Sequence, residues 1–421
     1  MTASTAPLLE QLSRAELVPL AYEYMMTGHL IDRALMPQVF LHGQSFDDVD
    51  NIAIDEWMGA SPNYTERLRT LLGIEGDDVS AMIKALQLDV GFVHQYMDVA
   101  YRVHDESHAE FWLNHCGALL DVEPHGEARV VGMCHHIEDP TFDATAFATN
   151  PRAQIRPIHR PPRAPEDRHP HCHWTIEIDP RRAPVEVAKH TELVAGFALC
   201  DVAIMCATAR LDDGLVDYSG DLLTAFRLTD LSTDLLAAVM REFQMQVHLL
   251  TASAEAAVAD RYGLEVGRRI GRDQWSATSW VATERIANAL DISGGGLDAI
   301  AGILAIHPGF PPGFEREISA DDSTLRMTLT PEFESLLNRE QFGWIGQLAR
   351  EEVDGIAAML HPVEPKARVD SVINSGTSIE ITVGIDHTGE AVLEPQCVAL
   401  AKISGTARWQ FDLSETLDST D

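Results

Sequence analysis

The segment ERLRTLLGIEGDDVSAMIKALQLDVGF, from Glu66, aligns without a gap on ERIANALDISGGGLDAIAGILAIHPGF, from Glu284. Glu66, Arg67, Leu72, Ile74, Gly76, Ala81, Leu86, Gly91 and Phe92 recur as identical residues. A chain that repeats itself must fold each copy from the same local instructions, so a repeat constrains architecture more than any single motif does. The register extends upstream through DEWMGAS against DQWSATS and, with one slip, to His29 against His248. Downstream, with small gaps, TNPRAQI meets VEPKARV, TIEI meets SIEI, and HTELVAGFALC meets HTGEAVLEPQC. The unchanged order implies duplication, with copy one over about residues 20–223, a connecting segment over 224–238, and copy two over about 239–414.

Each copy reads as helices, then strand, strand, helix, strand, strand and a closing helix. Leu68, Leu71 and Leu72, like Val79, Ile83 and Leu86, have helical spacing. AEFWLNHC, RAQIRPIH and HCHWTIEI alternate as half-buried strands do. The expected fold class is α+β: two tandem helices-then-β-β-α-β-β units with antiparallel sheets, forming a pseudo-twofold dimer within one chain.

With 421 residues, 45% of them hydrophobic, the chain can build two ordinary cores. A formal charge of −34 repels nucleic-acid backbones and anionic lipid surfaces, so neither is an expected partner. The opening MTASTAPLLEQLSRAEL lacks the basic and apolar regions of an export signal. The most apolar later run, LVAGFALCDVAIMCATA, carries Asp201 and reads as a buried helix rather than a membrane span. Six cysteines without a spaced framework fit free thiols in a reducing cytoplasm. The glycines of DISGGGLD lack the Gly-Lys-Ser/Thr of a phosphate loop and fall at a helix-to-helix turn. A small-molecule ligand or substrate is the expected partner, and a homodimer is an assembly that the sequence allows.

The stretch HPHCHW places His169, His171, Cys172 and His173 together. Alternation sends Cys172 to the core with Trp174, Ile176 and Ile178, and His171 and His173 to the opposite face. Pro170 offers the alternative of bending the strand entry so that His169 or His171 turns inward. The same periodicity turns His159 inward, while helical spacing puts Cys134 on an apolar stripe. His115 shares a face with Phe111 and Leu113, and Cys116 goes with Trp112. Each such residue alone reads first as ordinary core packing. Together, Cys134, His159 and Cys172 supply three of the four ligands that a tetrahedral zinc requires. At the matching places copy two has Gln347, Ile373 and Ser375, so one zinc per chain, in copy one, is expected.

On these residues the pattern resembles the 4-vinyl reductase domain, the small-molecule-binding α+β unit of aromatic-responsive bacterial regulators, and the related 2-aminothiazoline-4-carboxylate hydrolases. The resemblance covers about residues 60–180 and, more faintly, copy two. In the regulators a zinc is held by a helix cysteine, a strand cysteine with a glutamate three residues before it, and a cysteine in the turn opening the last strand. Cys134 and Cys172 match the first and last of these, and His159 stands at the second. Arg156 occupies the glutamate position, which leaves the fourth ligand to His115 or water. Trp112 is similar in placement to a strand tryptophan that lines the regulators' pocket. No output domain accompanies the unit here.

The resemblance and the residues together imply a zinc-dependent, hydrolase-like enzyme acting on a small organic acid or aromatic compound. His136, Glu138 or Asp139, close to Cys134, would carry the proton. Arg152, Arg156 and Arg160 would meet an anionic substrate group, unless the protein's own carboxylates neutralise them. The alternative is a sensor or carrier with a structural zinc. Four protein ligands would favour the carrier, and three plus water the enzyme.

Overall fold

The computed structural model describes residues 8–205 and 214–414. The first half runs α1 (Arg14–Gly43), α2 (Phe46–Leu72), α3 (Val79–Leu86), β1 (Met97–Asp105), β2 (His108–Cys116), α4 (Gly117–Val122) and α5 (Glu127–Val131). A π-helical turn over Gly132–Ile137 follows, then α6 (Glu138–Phe147), β3 (Ala153–His159), β4 (Cys172–Ile178) and α7 (Lys189–Ala195). The second half runs α8 (Thr233–Tyr262), α9 (Leu264–Ala289), α10 (Leu297–Ile306), β5 (Phe314–Ala320), β6 (Thr324–Pro331) and α11 (Ser335–Asn338). It continues through α12 (Gly343–Ala349), α13 (Asp354–Leu360), β7 (Ala367–Asn374), β8 (Ile379–Ile385) and α14 (Gln396–Ala401). The fold is α+β, with two antiparallel four-stranded sheets ordered β1-β2-β4-β3 and β5-β6-β8-β7.

Three of the four long helices begin at serine caps. Ser13 and Glu16 close a capping box on α1, and the Ser45 and Ser232 side chains accept the N–H of Asp48 and Leu235. The four long helices pack across the halves, α1 against α8 and α9 and α2 against α8, so they bury residues around most of their circumference. Two buried ion pairs make this exchange reciprocal. Arg67 on α2 grips Glu242 on α8 through two bonds of 3.0 and 2.9 Å and donates to the Val202 carbonyl at 2.6 Å. Arg285 on α9 grips Glu23 on α1 at 2.6 and 3.2 Å and donates to the Trp409 carbonyl at 2.7 Å.

The cores are less symmetrical. The second sheet joins the main helical core through residues such as Met327, Ile381 and Val383, whereas the inner face of the first sheet forms its own cluster around Phe111, Trp174 and Ile176.

The expected buried helix over LVAGFALCDVAIMCATA does not form. α7 ends at Ala195, a 3-10 turn covers Ala198–Asp201, and residues 206–209 lie outside the described residues. The Cys200 and Val202 carbonyls, which a helix would use internally, accept from Arg67 instead. The aligned blocks HTELVAGFALC and HTGEAVLEPQC also differ in structure. His190 sits in α7, whereas Asp386 binds Thr388 and Gly389 in a turn, and the closing helix α14 starts only at Gln396. The cap at Ser232 opens α8 at Thr233, inside the expected connecting segment. Among the described residues, no helix is long and apolar enough to cross a membrane.

Candidate ligand cavity and metal centre

Between the first sheet and the long helices lies a cavity of about 400 Å³, within the usual range for small-molecule sites. Its wall is mainly apolar, with Trp57 from α2, Phe142 from α6, and Leu113 and Trp174 from the sheet. Phe46 and Ile403 line it while remaining exposed, which marks the opening.

The π-helical turn shapes one wall. Its wider winding puts Met133 and Ile137 on the cavity while Cys134 joins the cluster under the sheet. Asp50 on α2 fastens this turn, bonding Arg129 at 2.6 Å and His136 at 3.3 Å. Gly132 permits the approach, since a Cβ there would stand 2.6 Å from the Asp50 carboxylate.

Glu138 follows the turn and lines the cavity, with Oε2 buried and unpartnered. Burial pushes its carboxyl up to about 8, against a smaller opposing pull from Arg160. Cys116, Cys134 and Cys172 are all buried nearby. Burial and then the Glu138 charge push the Cys116 thiol up to about 12 and hold Cys134 and Cys172 well above the ordinary thiol range. Three thiols and a carboxyl are a zinc-type donor set, and an ion would relieve the charge conflict that now keeps them protonated. Among the described residues only His104, His108 and Glu110 bring three ligand atoms within 4.8 Å of one another, so the thiols and Glu138 would have to draw together to share an ion.

A second polar group enters from α1 and α2. Arg33 donates to Asp121 at 2.9 Å, while its Nη2 is buried without a protein partner. Beside it, burial raises the Asp32 carboxyl to about 6 and, with the Asp32 charge adding to it, holds Glu56 well above the carboxylate range, and Asp32 Oδ1 and both Glu56 oxygens are buried without a protein partner. His29 bonds the Gly91 carbonyl through Nε2 at 3.1 Å, and burial, with Arg33 adding to it, lowers its pKa to about 4. Neutral His29 therefore keeps an unpartnered Nδ1 acceptor.

The expected site residues divide. Cys134 and Cys172 share the core cluster under the first sheet with Cys116, and Glu138 lines the cavity beside Cys172. His159 does neither. A register shift between Pro157 and His159 turns it to the His173 side of the sheet, ring centroids 6.0 Å apart. Another shift, where Asp98 faces His115 but Val99 faces Leu113, brings Cys116 inward and leaves His115 bonding the Tyr96 carbonyl at 3.0 Å. His171, expected outside, is buried and accepts the Cys116 N–H at 3.1 Å, with its pKa lowered to about 4 by burial and Arg163. His173 faces outward and meets Glu110 at 3.1 Å.

Trp112 lies outside the cavity, packed edge-on against His173 and under Arg102; the lining tryptophan from the sheet is Trp174, two residues beyond Cys172 and on its face. Asp139 pairs with Arg160 at 2.5 Å, and His136 is spent on Asp50. Arg156 forms a fork on Asp143 with two bonds of 2.7 Å, so Arg156 and Arg160 are neutralised internally, the alternative weighed for them. Arg152 is not among the cavity's lining residues, and its carbonyl accepts from Arg182.

Sequence reasoning missed Asp32, Arg33 and Glu56. The repeat carried the signal, because its register sets them against Thr251, Ala252 and Gln274. In the second half Trp344 stacks on Trp275 with centroids 6.3 Å apart and meets His248 edge-on at 5.0 Å. Gly343, at φ +67, brings α12 so close to Ala252 that an added Cβ would stand 3.0 Å from it. The chain matches no family model, no curated protein and no solved structure.

Proposed function

We propose that the chain is an internally duplicated small-molecule-binding protein working through its first half, and that its ligand is a compact, mainly apolar molecule with one anionic group. The observation that carries this is the cavity in which the Arg33 Nη2 donor is buried and unpartnered. A buried guanidinium N–H without an acceptor is costly, and a ligand carboxylate would satisfy it. Matching strand order and reciprocal ion pairs support the duplication, since a twofold contact returns each interaction from the other side. Cys116, Cys134 and Cys172, with Glu138 as fourth ligand, would hold a structural zinc against the cavity wall. The described cysteines are free, which suits a reducing cytoplasm.

A second reading has its own observation. Glu138, unpartnered and raised to about 8, is suited to exchanging a proton inside the cavity. If the thiols alone hold the ion, one position stays open and a hydrolase-like reaction becomes the function.

Quenching of the lining tryptophans Trp57 and Trp174 tests the binding reading, with benzoate and larger aromatic carboxylates as ligands and the matching alcohols as controls. Arg33→Met should weaken the carboxylates at least about tenfold, the worth of one charge-assisted hydrogen bond, and leave the alcohols unchanged. Absence of carboxylate binding, or equal loss of both series, refutes it.

A further inference from the structure

We propose that the outward face of the first sheet carries a second site, for a divalent transition metal, built from His104, His108 and Glu110. It is separate from the buried thiols in both position and chemistry. The β1–β2 hairpin supplies the residues, with Asp105 accepting from the Ser107 N–H and hydroxyl to close the turn. Arg102 faces Glu110 across the ladder, so strand alternation puts His104, two residues on, on the side of Glu110 and His108.

The ligand atoms of the three residues lie within 4.8 Å of one another, and His104 Nε2 stands 3.3 Å from Glu110 Oε1. Two ligands each about 2.0–2.1 Å from one tetrahedral ion stand about 3.3–3.4 Å apart. The His104 and His108 rings stack with centroids 4.6 Å apart at 25°, holding the imidazoles side by side. Partners orient them: His173 Nε2 bonds Glu110 Oε2 at 3.1 Å, and Thr175 Oγ1 lies 3.1 Å from His108 Nε2. Such outer hydrogen bonds characterise sites that hold an ion.

The second sheet provides an internal contrast. Its β5–β6 hairpin closes with the same turn, Asp321 accepting from the Ser323 N–H and hydroxyl, yet the corresponding residues are Ala320, Thr324 and Arg326. The hairpin therefore forms without the cluster. Two imidazoles and one carboxylate select zinc, cobalt or nickel over magnesium and calcium. His104 is exposed and the other two are half-buried, so water can complete the coordination and the site stays open. Arg102, 3.9 Å from Glu110, is the cation that the ion would displace from the carboxylate.

Calorimetric titration with Zn²⁺ and absorption spectroscopy with Co²⁺, on the full chain, decide the matter. One equivalent should survive Cys134→Ser and Cys172→Ser, and disappear in the His104→Ala, His108→Ala variant. His173→Ala should weaken it about tenfold, as loss of an outer partner does. Cobalt at this site should give no thiolate charge-transfer band, a readout on the native sequence that holds even if the cysteine variants fail to fold. Retention of that equivalent by the histidine variant, or a cobalt spectrum showing thiolate bands only, overturns the proposal. A zinc bound by the thiols would add a second equivalent with the opposite sensitivities, so the two sites fail or stand separately.

Discussion

Replacing Glu138 with Gln isolates the electrostatic cost of the cavity. In the folded chain the carboxyl titrates near 8, whereas in the unfolded chain it returns to about 4.5. The unfolded state therefore releases its proton first. Between those values it binds fewer protons than the folded state, so stability falls as pH rises, by up to about 1.4 kcal/mol per pH unit. The full displacement corresponds to about 5 kcal/mol by pH 8.5, an upper figure because any water entering the cavity relieves it. Glutamine stays neutral and removes the slope. Urea unfolding of chelator-treated wild type and Glu138→Gln at pH 5, 7 and 8.5 reads the difference directly, with titrations common to both proteins cancelling. The variant should match the wild type near pH 5 and exceed it by several kcal/mol at pH 8.5. A difference that does not change with pH would show that Glu138 is not held protonated by burial.

The other two expectations concern the second half and its grip on the first. Trp344→Ala should empty the space beside Trp275 and His248 and cost about 3–5 kcal/mol by thermal or urea unfolding; a loss under about 1 kcal/mol would mean that Trp344 does not fill it. Glu242→Gln and Glu23→Gln, which each leave a buried arginine without its counter-charge, should each cost about 3–5 kcal/mol, and tolerance of either by the same assay would contradict the reciprocal packing.

The elements were legible in the sequence because their periodicities are local. AEFWLNHC, RAQIRPIH and HCHWTIEI coincide with β2, β3 and β4, and Cys134 and Cys172 face the core as their spacing implies. What failed was alternation carried through a bulge. One extra residue near Asn114 exchanges the faces of His115 and Cys116, and another near Ile158 turns His159 outward; such slips depend on cross-strand pairing that no single strand encodes. Trp112 was chosen by likeness of placement, although its own alternation with Phe111 and Leu113 points it away from the cavity. Arg33 and Glu56 stand on different helices, and only packing sets Glu56 beside Asp32 behind the wall that Asp32 and Arg33 line, so their role shows in sequence solely as a difference between aligned halves.

The crossed arginines also bear on what each half can lose. Arg67 needs a glutamate from beyond the connecting stretch, and Arg285 needs one from before it. No single cut in that stretch therefore yields two pieces with closed surfaces, and a chain severed there would fold only as a heterodimer, each fragment acting as the other's template. This mutual dependence adds to the helix packing that joins the halves. The second half can pack Trp344 against Trp275 and carry Thr251, Ala252 and Gln274 where the first half has Asp32, Arg33 and Glu56, because its contribution is to complete its neighbour.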